Sequence, residues 1–313
     1  MRPTAMSHFA VYLPVSGRAV SMPLLLVLGG MVGFLSGLFG VGGGFLMTPL
    51  LIMIGIPPTV AAASDSNQIV AASSSGTYAH ARAGAVDFRM GILLLLGGIV
   101  GGSAGVVLIR WLRAMGHADF LITVTYVVML GGIGSYMFVE SIHSIRAGSL
   151  AHDSEPKTSL YARLVRELPW KVSFQRSKVR LSALLPIALG ALVGTFAAIM
   201  GVGGGFIMVP VMVYLLRMPM HVVVGTNLFQ ELFICINITA LQATLNGTVD
   251  FVLAVFLLLG SVVGAQLGAH MSTRLKADQL KILMALIVLA VMATMMLELL
   301  HTPDCLLSYA GTH

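Results

Sequence analysis

The chain has 313 residues, of which 57% are hydrophobic and only 10% charged, with a net charge of +6. Soluble domains carry about 25% charged residues, so this composition excludes an ordinary soluble enzyme, a disordered chain and a nucleic-acid-binding domain. The two cysteines, Cys235 and Cys305, lie far apart and exclude a disulfide scaffold and a zinc cluster.

A helix needs roughly 20 apolar residues to cross a bilayer. Taken in chain order, residues 22–40, 59–79, 90–109, 120–139, 181–200, 220–243, 251–269 and 280–300 are read as spans. Residues 45–56 and 206–216 are apolar but too short to span, and suit half-helices or re-entrant segments. The first run is read as an uncleaved span, because no Ala-x-Ala site follows it and Gly40–Gly44 leads into more apolar sequence.

Residues 143–179 form the long polar stretch. Arg146, Lys157, Arg163, Arg166, Lys171, Arg176 and Lys178 lie in it, and Arg180 follows directly. Lys and Arg concentrate in cytoplasmic loops, so this stretch is expected to be a cytoplasmic linker. The expected organisation is a first membrane repeat over 1–142, the basic linker over 143–179 and a second membrane repeat over 180–313.

The repeat is visible in the letters. Residues 33–45 read GFLSGLFGVGGGF and residues 194–206 read GTFAAIMGVGGGF, an offset of 161. The match runs on through Met47/Met208, Pro49/Pro210 and Pro58/Pro219. After a slip of two residues it resumes at Asp87-Phe88 and Asp250-Phe251. Gly97, Gly101 and Gly105 then correspond to Gly260, Gly264 and Gly268, each row a smooth helix face for close packing. The fold class expected is an all-α polytopic membrane protein. It has two homologous repeats, each of about four spanning helices plus a half-helix after a glycine-rich break. If each short run returns the chain to the side it came from, more Lys and Arg fall on the linker side, which favours an inverted second copy over a parallel one.

Gly40, Gly42, Gly43 and Gly44, with their twins Gly201, Gly203, Gly204 and Gly205, cannot be good helix interior, since each glycine costs about 1 kcal/mol against Ala. Within a bilayer, non-helical backbone is tolerated only where it is buried in protein or lines a watery cavity. The half-helix that follows each break aims free N–H groups at that cavity, a setting that attracts anions. The bland reading of each loop is a hinge that turns the chain.

A polar stripe follows each half-helix. The first begins at Ser64, Asp65, Ser66 and Asn67 and continues through Ser73, Thr77 and His80. The second begins at Thr226, Asn227, Gln230 and Glu231 and continues through Asn237 and Thr244. Such stripes either line a pathway or act as polar glue between helices. Ser64, Ser66, Asn67, Thr226, Asn227 and Gln230 join the eight glycines as candidate substrate-binding residues. Asp65 and Glu231 are candidate proton carriers, because acids inside a membrane are functional by default. They do not align with each other: Asp65 corresponds to Thr226 and Glu231 to Val70. Asp87 and Asp250 do align, and capping of helix starts explains them. Cys235 is read as a small packing residue.

The paired Gly-Val-Gly-Gly-Gly-Phe segments, the proline after each, and Gly225-Thr226-Asn227 resemble the sulfite exporter TauE/SafE family of membrane transporters. The resemblance covers nearly the whole chain except the linker and tails. It implies movement of a sulfur-containing anion, such as sulfite or a sulfonate, across the cytoplasmic membrane. The first half departs from the family pattern by reading Ser64-Asp65-Ser66, which places an acid near an anion site. The function expected is therefore a secondary transporter of a small anion, coupled to the proton gradient. A cation transporter using Asp65 and Glu231, or a membrane subunit without transport activity, is the alternative. No catalytic residues, metal or cofactor are expected, since neither a nucleophile–base pair nor a ligand cluster is visible. The expected partners are the lipid bilayer, the anion and, as an open point, further copies of the chain.

Overall fold

The computed structural model describes residues 10–116, 118–146, 171–174, 176–177, 179–272 and 277–300. Two antiparallel hairpins, β1 (Ala10–Leu13) with β2 (Arg18–Ser21) and β3 (Lys171–Phe174) with β4 (Val179–Ser182), stand before the two helical halves. The first half holds α1 (Met22–Phe39), α2 (Gly44–Met53), α3 (Pro58–Arg82), α4 (Phe88–Ala114) and α5 (Ala118–Arg146). The second holds α6 (Leu184–Met200), α7 (Gly205–Pro210), α8 (Met220–Leu241), α9 (Phe251–Ser272) and α10 (Ala277–Leu300). A π turn, Val211–Leu215, extends α7 after Pro210, and a second, Gln242–Asn246, extends α8.

The chain is mostly helical, as expected of an all-α polytopic membrane protein, with two short hairpins added to it. Both strand pairs are only four residues long and lie before the spanning helices, with β4 taking the first two residues of the run read as 181–200, so helical periodicity gives no hint of them. The second hairpin also occupies the end of the stretch read as linker, and the helix expected from residue 181 starts at Leu184. Most of the remaining linker, residues 147–170, lies outside the described residues.

Among the described residues, five of the eight expected spans are long and apolar enough to cross a membrane: Met22–Phe39, Phe88–Ala114, Ala118–Tyr136, Met220–Asn246 and Phe251–Met271. Leu184–Met200 is apolar but has 17 residues. The 25-residue α3 has the length, about 37 Å at 1.5 Å per residue, but its polar stripe dilutes its apolar character. Large apolar side chains are left outward on these helices; Val100, Phe120 and Phe251 are 68%, 65% and 72% exposed. A belt of this kind suits lipid and not water.

The hairpins mark two ends of the molecule. Val15, in the turn of the first hairpin, donates its N–H to the Asp250 carboxylate (3.0 Å), and Arg18 lies against Gly55 at the end of α2. The Ser177 N–H and hydroxyl, in the turn of the second, donate to the Asp87 carboxylate. Each aspartate also caps its own helix, Asp87 through Met90 N and Asp250 through Leu253 N. Thus α1 and α9 start from the first end, while α4 and α6 start from the second. Since Arg18 meets Gly55, α2 returns the chain to the end from which α1 came, as a half-helix must.

The glycine ridges hold the halves together. Gly29, Gly33 and Gly37 of α1 sit directly on the backbone of Leu257, Ser261 and Ala265 in α9. Gly97 and Gly101 of α4 sit on Ile187 and Ala191 in α6, and Gly105 on Thr195. Among the described residues these are the most extensively packed helix pairs, and each joins one half to the other. Without side chains in between, the backbones approach far enough for dispersion contacts along the whole seam. The central helices α3 and α8 pack on each other inside this frame.

Candidate functional site

Both glycine breaks are buried, and they meet. Gly40, Gly42 and Gly43 have φ of 70°, 72° and 84°; Gly201, Gly203 and Gly204 have 72°, 70° and 81°. Left-handed backbone at three of four positions ends one helix and turns the chain into the next. Gly44 lies against Val202 of the other loop, Gly205 against the Val41 carbonyl, and the rings of Phe45 and Phe206 are 6.2 Å apart. Gly44 also contacts Ile69, and Thr48 meets Asp65, so α2 runs antiparallel to α3.

The side chains of α3 and α8 reach across to the opposite loop. The Asn227 amide donates to the Gly40 carbonyl (2.7 Å), and the Ser66 hydroxyl is 3.4 Å from the Gly201 carbonyl. Residues 66 and 227 lie 161 apart in the sequence, and so do 40 and 201. The Tyr126 hydroxyl on α5 donates to the Met200 carbonyl (2.7 Å). Asn227 and Tyr126 therefore cap carbonyls at the ends of α1 and α6, while the Ser66 hydroxyl is nearer to Ala62 O of its own helix (3.2 Å). The breaks also bring in the N-terminal ends of α2 and α7, and the Gly205 N–H at the start of α7 faces the Glu231 carboxylate.

Glu231 occupies the centre. Its carboxylate packs on Gly42, Gly203 and Gly205, so a side chain at any of these three would collide with it. The Asn227 amide lies 3.4 Å from one oxygen, and the other has no protein partner. Asp65 is also fully buried; the Thr48 hydroxyl donates to one of its oxygens (2.7 Å), and the other has no protein partner. The Gln230 amide donates to Asn227 Oδ1 (3.0 Å), which fixes the orientation of Asn227. The oxygens of Gln68 and Gln230 are buried without protein partners as well. Buried polar atoms are nearly always hydrogen-bonded, so the open oxygens of Asp65, Gln230 and Glu231 mark a place built for something other than packing.

The candidate residues fall into distinct groups. The eight glycines, Asp65, Ser66, Asn227, Gln230 and Glu231 converge. The hydroxyls of Ser64 and Thr226 are instead engaged by backbone N–H groups at Asp250 (3.0 Å) and Asp87 (2.9 Å), holding the starts of α9 and α4. Asn67 is half-buried while its neighbours 64, 65, 66 and 68 are buried. Asn237 donates to Ser103 on α4 (3.0 Å), which is interhelical glue, and Thr244 is exposed and bonds its own helix at Ala240. Thr48 and Tyr126 were not singled out by the sequence. Thr48 could have been, as a lone hydroxyl in an apolar half-helix; Tyr126 comes from a distant span and gives no local signal. Among the described residues, no group of three His, Cys, Asp or Glu side chains could hold a metal ion.

Comparison with known proteins agrees with this architecture. The chain is similar to a probable membrane transporter, YjnA, of Bacillus subtilis (strain 168), 28% identical over 85% of this chain and 96% of that protein. It is similar to a probable membrane transporter of Xylella fastidiosa (strain 9a5c), 27% identical over 84% of this chain and 90% of that one. A shorter stretch, 37% of this chain and 26% of the relative, is 31% identical to a sulfite exporter TauE/SafE family protein of Arabidopsis thaliana. No solved structure gives a significant match. The family model described as sulfite exporter TauE/SafE matches residues 25–295, so the chain is a multi-pass membrane protein that belongs to this family of membrane transporters.

Proposed function

We propose that this protein is a secondary transporter that moves a small, sulfur-containing anion across the cytoplasmic membrane and couples it to the proton gradient. The observation that carries the reading is the meeting of two glycine breaks, at which helix-ending carbonyls are capped by Asn227 and Tyr126. A cation would need those oxygens; an anion needs the N-terminal ends of α2 and α7, which face the same centre. Gly40–Gly44 and Gly201–Gly205, with Asn227 and Gln230, form the substrate site. Asp65 and Glu231 carry protons, since a proton bound there offsets the charge of the anion beside it.

The order of elements supports two inverted repeats. Each half runs hairpin, helix, glycine break, short helix, long polar helix, and α1 and α6 start from opposite ends. The second end, with Arg82, Arg89, Arg176 and the basic stretch before it, is the cytoplasmic one.

The test is flux in proteoliposomes with sulfite, sulfate, thiosulfate and a sulfonate, with and without a pH gradient. Uptake of one anion, accelerated by the gradient, is the expected result. Asp65→Asn and Glu231→Gln should weaken the response to the gradient more than the affinity for the anion. Flux of monovalent cations with none of the anions would move the assignment to cation transport through the two acids.

A further inference from the structure

Beyond the glycine loops, the two central helices differ chemically. Ser73, Thr77 and His80 of α3 correspond, 161 residues on, to Ile234, Ile238 and Leu241 of α8. Ser36 of α1 likewise corresponds to Ala197 of α6. Steps of four and three residues put Ser73, Thr77 and His80 on one face of α3. The same face holds Ser66 and Ile69, which touch Gly201 and Gly44 in the loops. At its far end His80 lies against the backbone of Gly37, one residue from Ser36. Ser36 and Ser73 are fully buried, and His80 is 7% exposed in the last turn of α3. The hydroxyls of Ser36, Ser73 and Thr77 and the Nε2 of His80 are buried, and none has a protein partner. The matching face of the second half is sealed: Ile234, Ile238 and Ala197 pack with Val106 and Ala198 in a closed apolar cluster.

We infer that this face of α1 and α3 is a one-sided proton route between the central carboxyls and the second end of the molecule. Its role as a proton route rests on the proton-coupled reading above; its access to water does not. A row of unpartnered buried hydroxyls is satisfied by water, and no such row exists at the corresponding positions of α6 and α8. Proton transfer along it changes only N–H and O–H bonds. Protonated His80 releases the Nε2 proton to water beside Thr77. Each hydroxyl accepts one proton and passes on its own, and the Asp65 carboxylate ends as the acid. His80 recovers its lone pair and takes the next proton from the solution. Among the described side chains, the other titratable groups on helices packed against α3 are His221, Glu231 and Cys235 on α8, His270 on α9, and Asp119, Tyr126 and Tyr136 on α5. The helices α1 and α2 carry none, and α3 itself adds Tyr78 and Arg82. His221 and His270 are exposed at the second end, whereas His80 is buried in the last turn of α3.

The experiment separates water access from coupling. In a Cys235→Ala, Cys305→Ala background that stays monodisperse in detergent, single cysteines replace Ser73, Thr77 and His80, and Ile234, Ile238 and Leu241. A small cationic methanethiosulfonate should label the first three about tenfold faster than the second three, because thiol reactivity follows access to water. Equal or reversed rates overturn the inference. Proton uptake and sulfite flux are then read together in proteoliposomes carrying Thr77→Ile or His80→Leu. The ratio of proton uptake to flux should fall in both variants, whereas a merely misfolded variant loses both signals in parallel. Asymmetric labelling with flux insensitive to pH in the unaltered protein would retain the water path and reject proton coupling. An unchanged ratio in both variants, where the unaltered protein does respond to pH, would reject the route.

Discussion

Gly42→Ala isolates the packing of the central carboxyl from backbone strain. Gly42 has φ 72°, and an added methyl would stand 2.5 Å from Glu231 Cδ, where ordinary contact is 3.4–4 Å. Left-handed backbone costs an L-residue about 1–2 kcal/mol. Glu231 must also shift by about 1 Å in a fully buried setting, and overpacking of that kind costs about 1–3 kcal/mol. The proper control is Gly116→Ala. Gly116 has φ 75°, but nothing lies within 4 Å of the added methyl, so it carries the strain alone. At about 2–4 °C per kcal/mol, Gly116→Ala should lower Tm by about 2–8 °C, and Gly42→Ala by roughly twice that. Anion flux should be unchanged in Gly116→Ala. In Gly42→Ala it should fall by up to about 10²-fold, the cost of displacing an active group by about 1 Å. Thermal unfolding in detergent and proteoliposome flux read the two effects. Adding Glu231→Asp to Gly42→Ala shortens the carboxyl arm and should restore part of the lost Tm, as a coupled pair does. If Gly42→Ala is no worse than Gly116→Ala in both assays, the carboxylate does not sit against the loop and the central site is misplaced.

Three further outcomes follow from the same contacts. Asn227→Ala leaves the buried Gly40 carbonyl without its 2.7 Å donor and should lower stability by about 1–3 kcal/mol; Ser66→Ala, with a 3.4 Å contact, should cost less, and equal Tm losses would contradict the geometry. Gly101→Ala forces a methyl into the Ala191 backbone and should lower Tm clearly, while Gly132→Ala, with nothing within 4 Å, should be neutral or gain up to about 1 kcal/mol. Asp87→Ala removes the Ser177 contacts and a helix cap, so limited proteolysis should cut the second hairpin sooner, whereas unchanged cleavage would show the hairpin is held by other means.

The sequence by itself determined the class of molecule and much of its centre. Apolar runs mark where helices lie, because burial in lipid requires length and hydrophobicity that any reader of composition can count. The glycine breaks were legible for the same kind of local reason: four glycines in five positions stop a helix regardless of its neighbours. Asp65, Asn227, Gln230 and Glu231 stood out because polar side chains on apolar helices need a partner somewhere. Only the tertiary structure decided which partner. It gave Asn227 the Gly40 carbonyl, set Glu231 between Gly42, Gly203 and Gly205, and turned Ser64 and Thr226 to helix starts. It brought Thr48 and Tyr126 to the site and found two hairpins too short for periodicity to reveal. The reason is physical. A residue's need for a partner is intrinsic to its chemistry, but the partner can lie far away in the chain, as Gly40 lies 187 residues from Asn227. The helix packing that joins them is set by backbone contact along the glycine ridges.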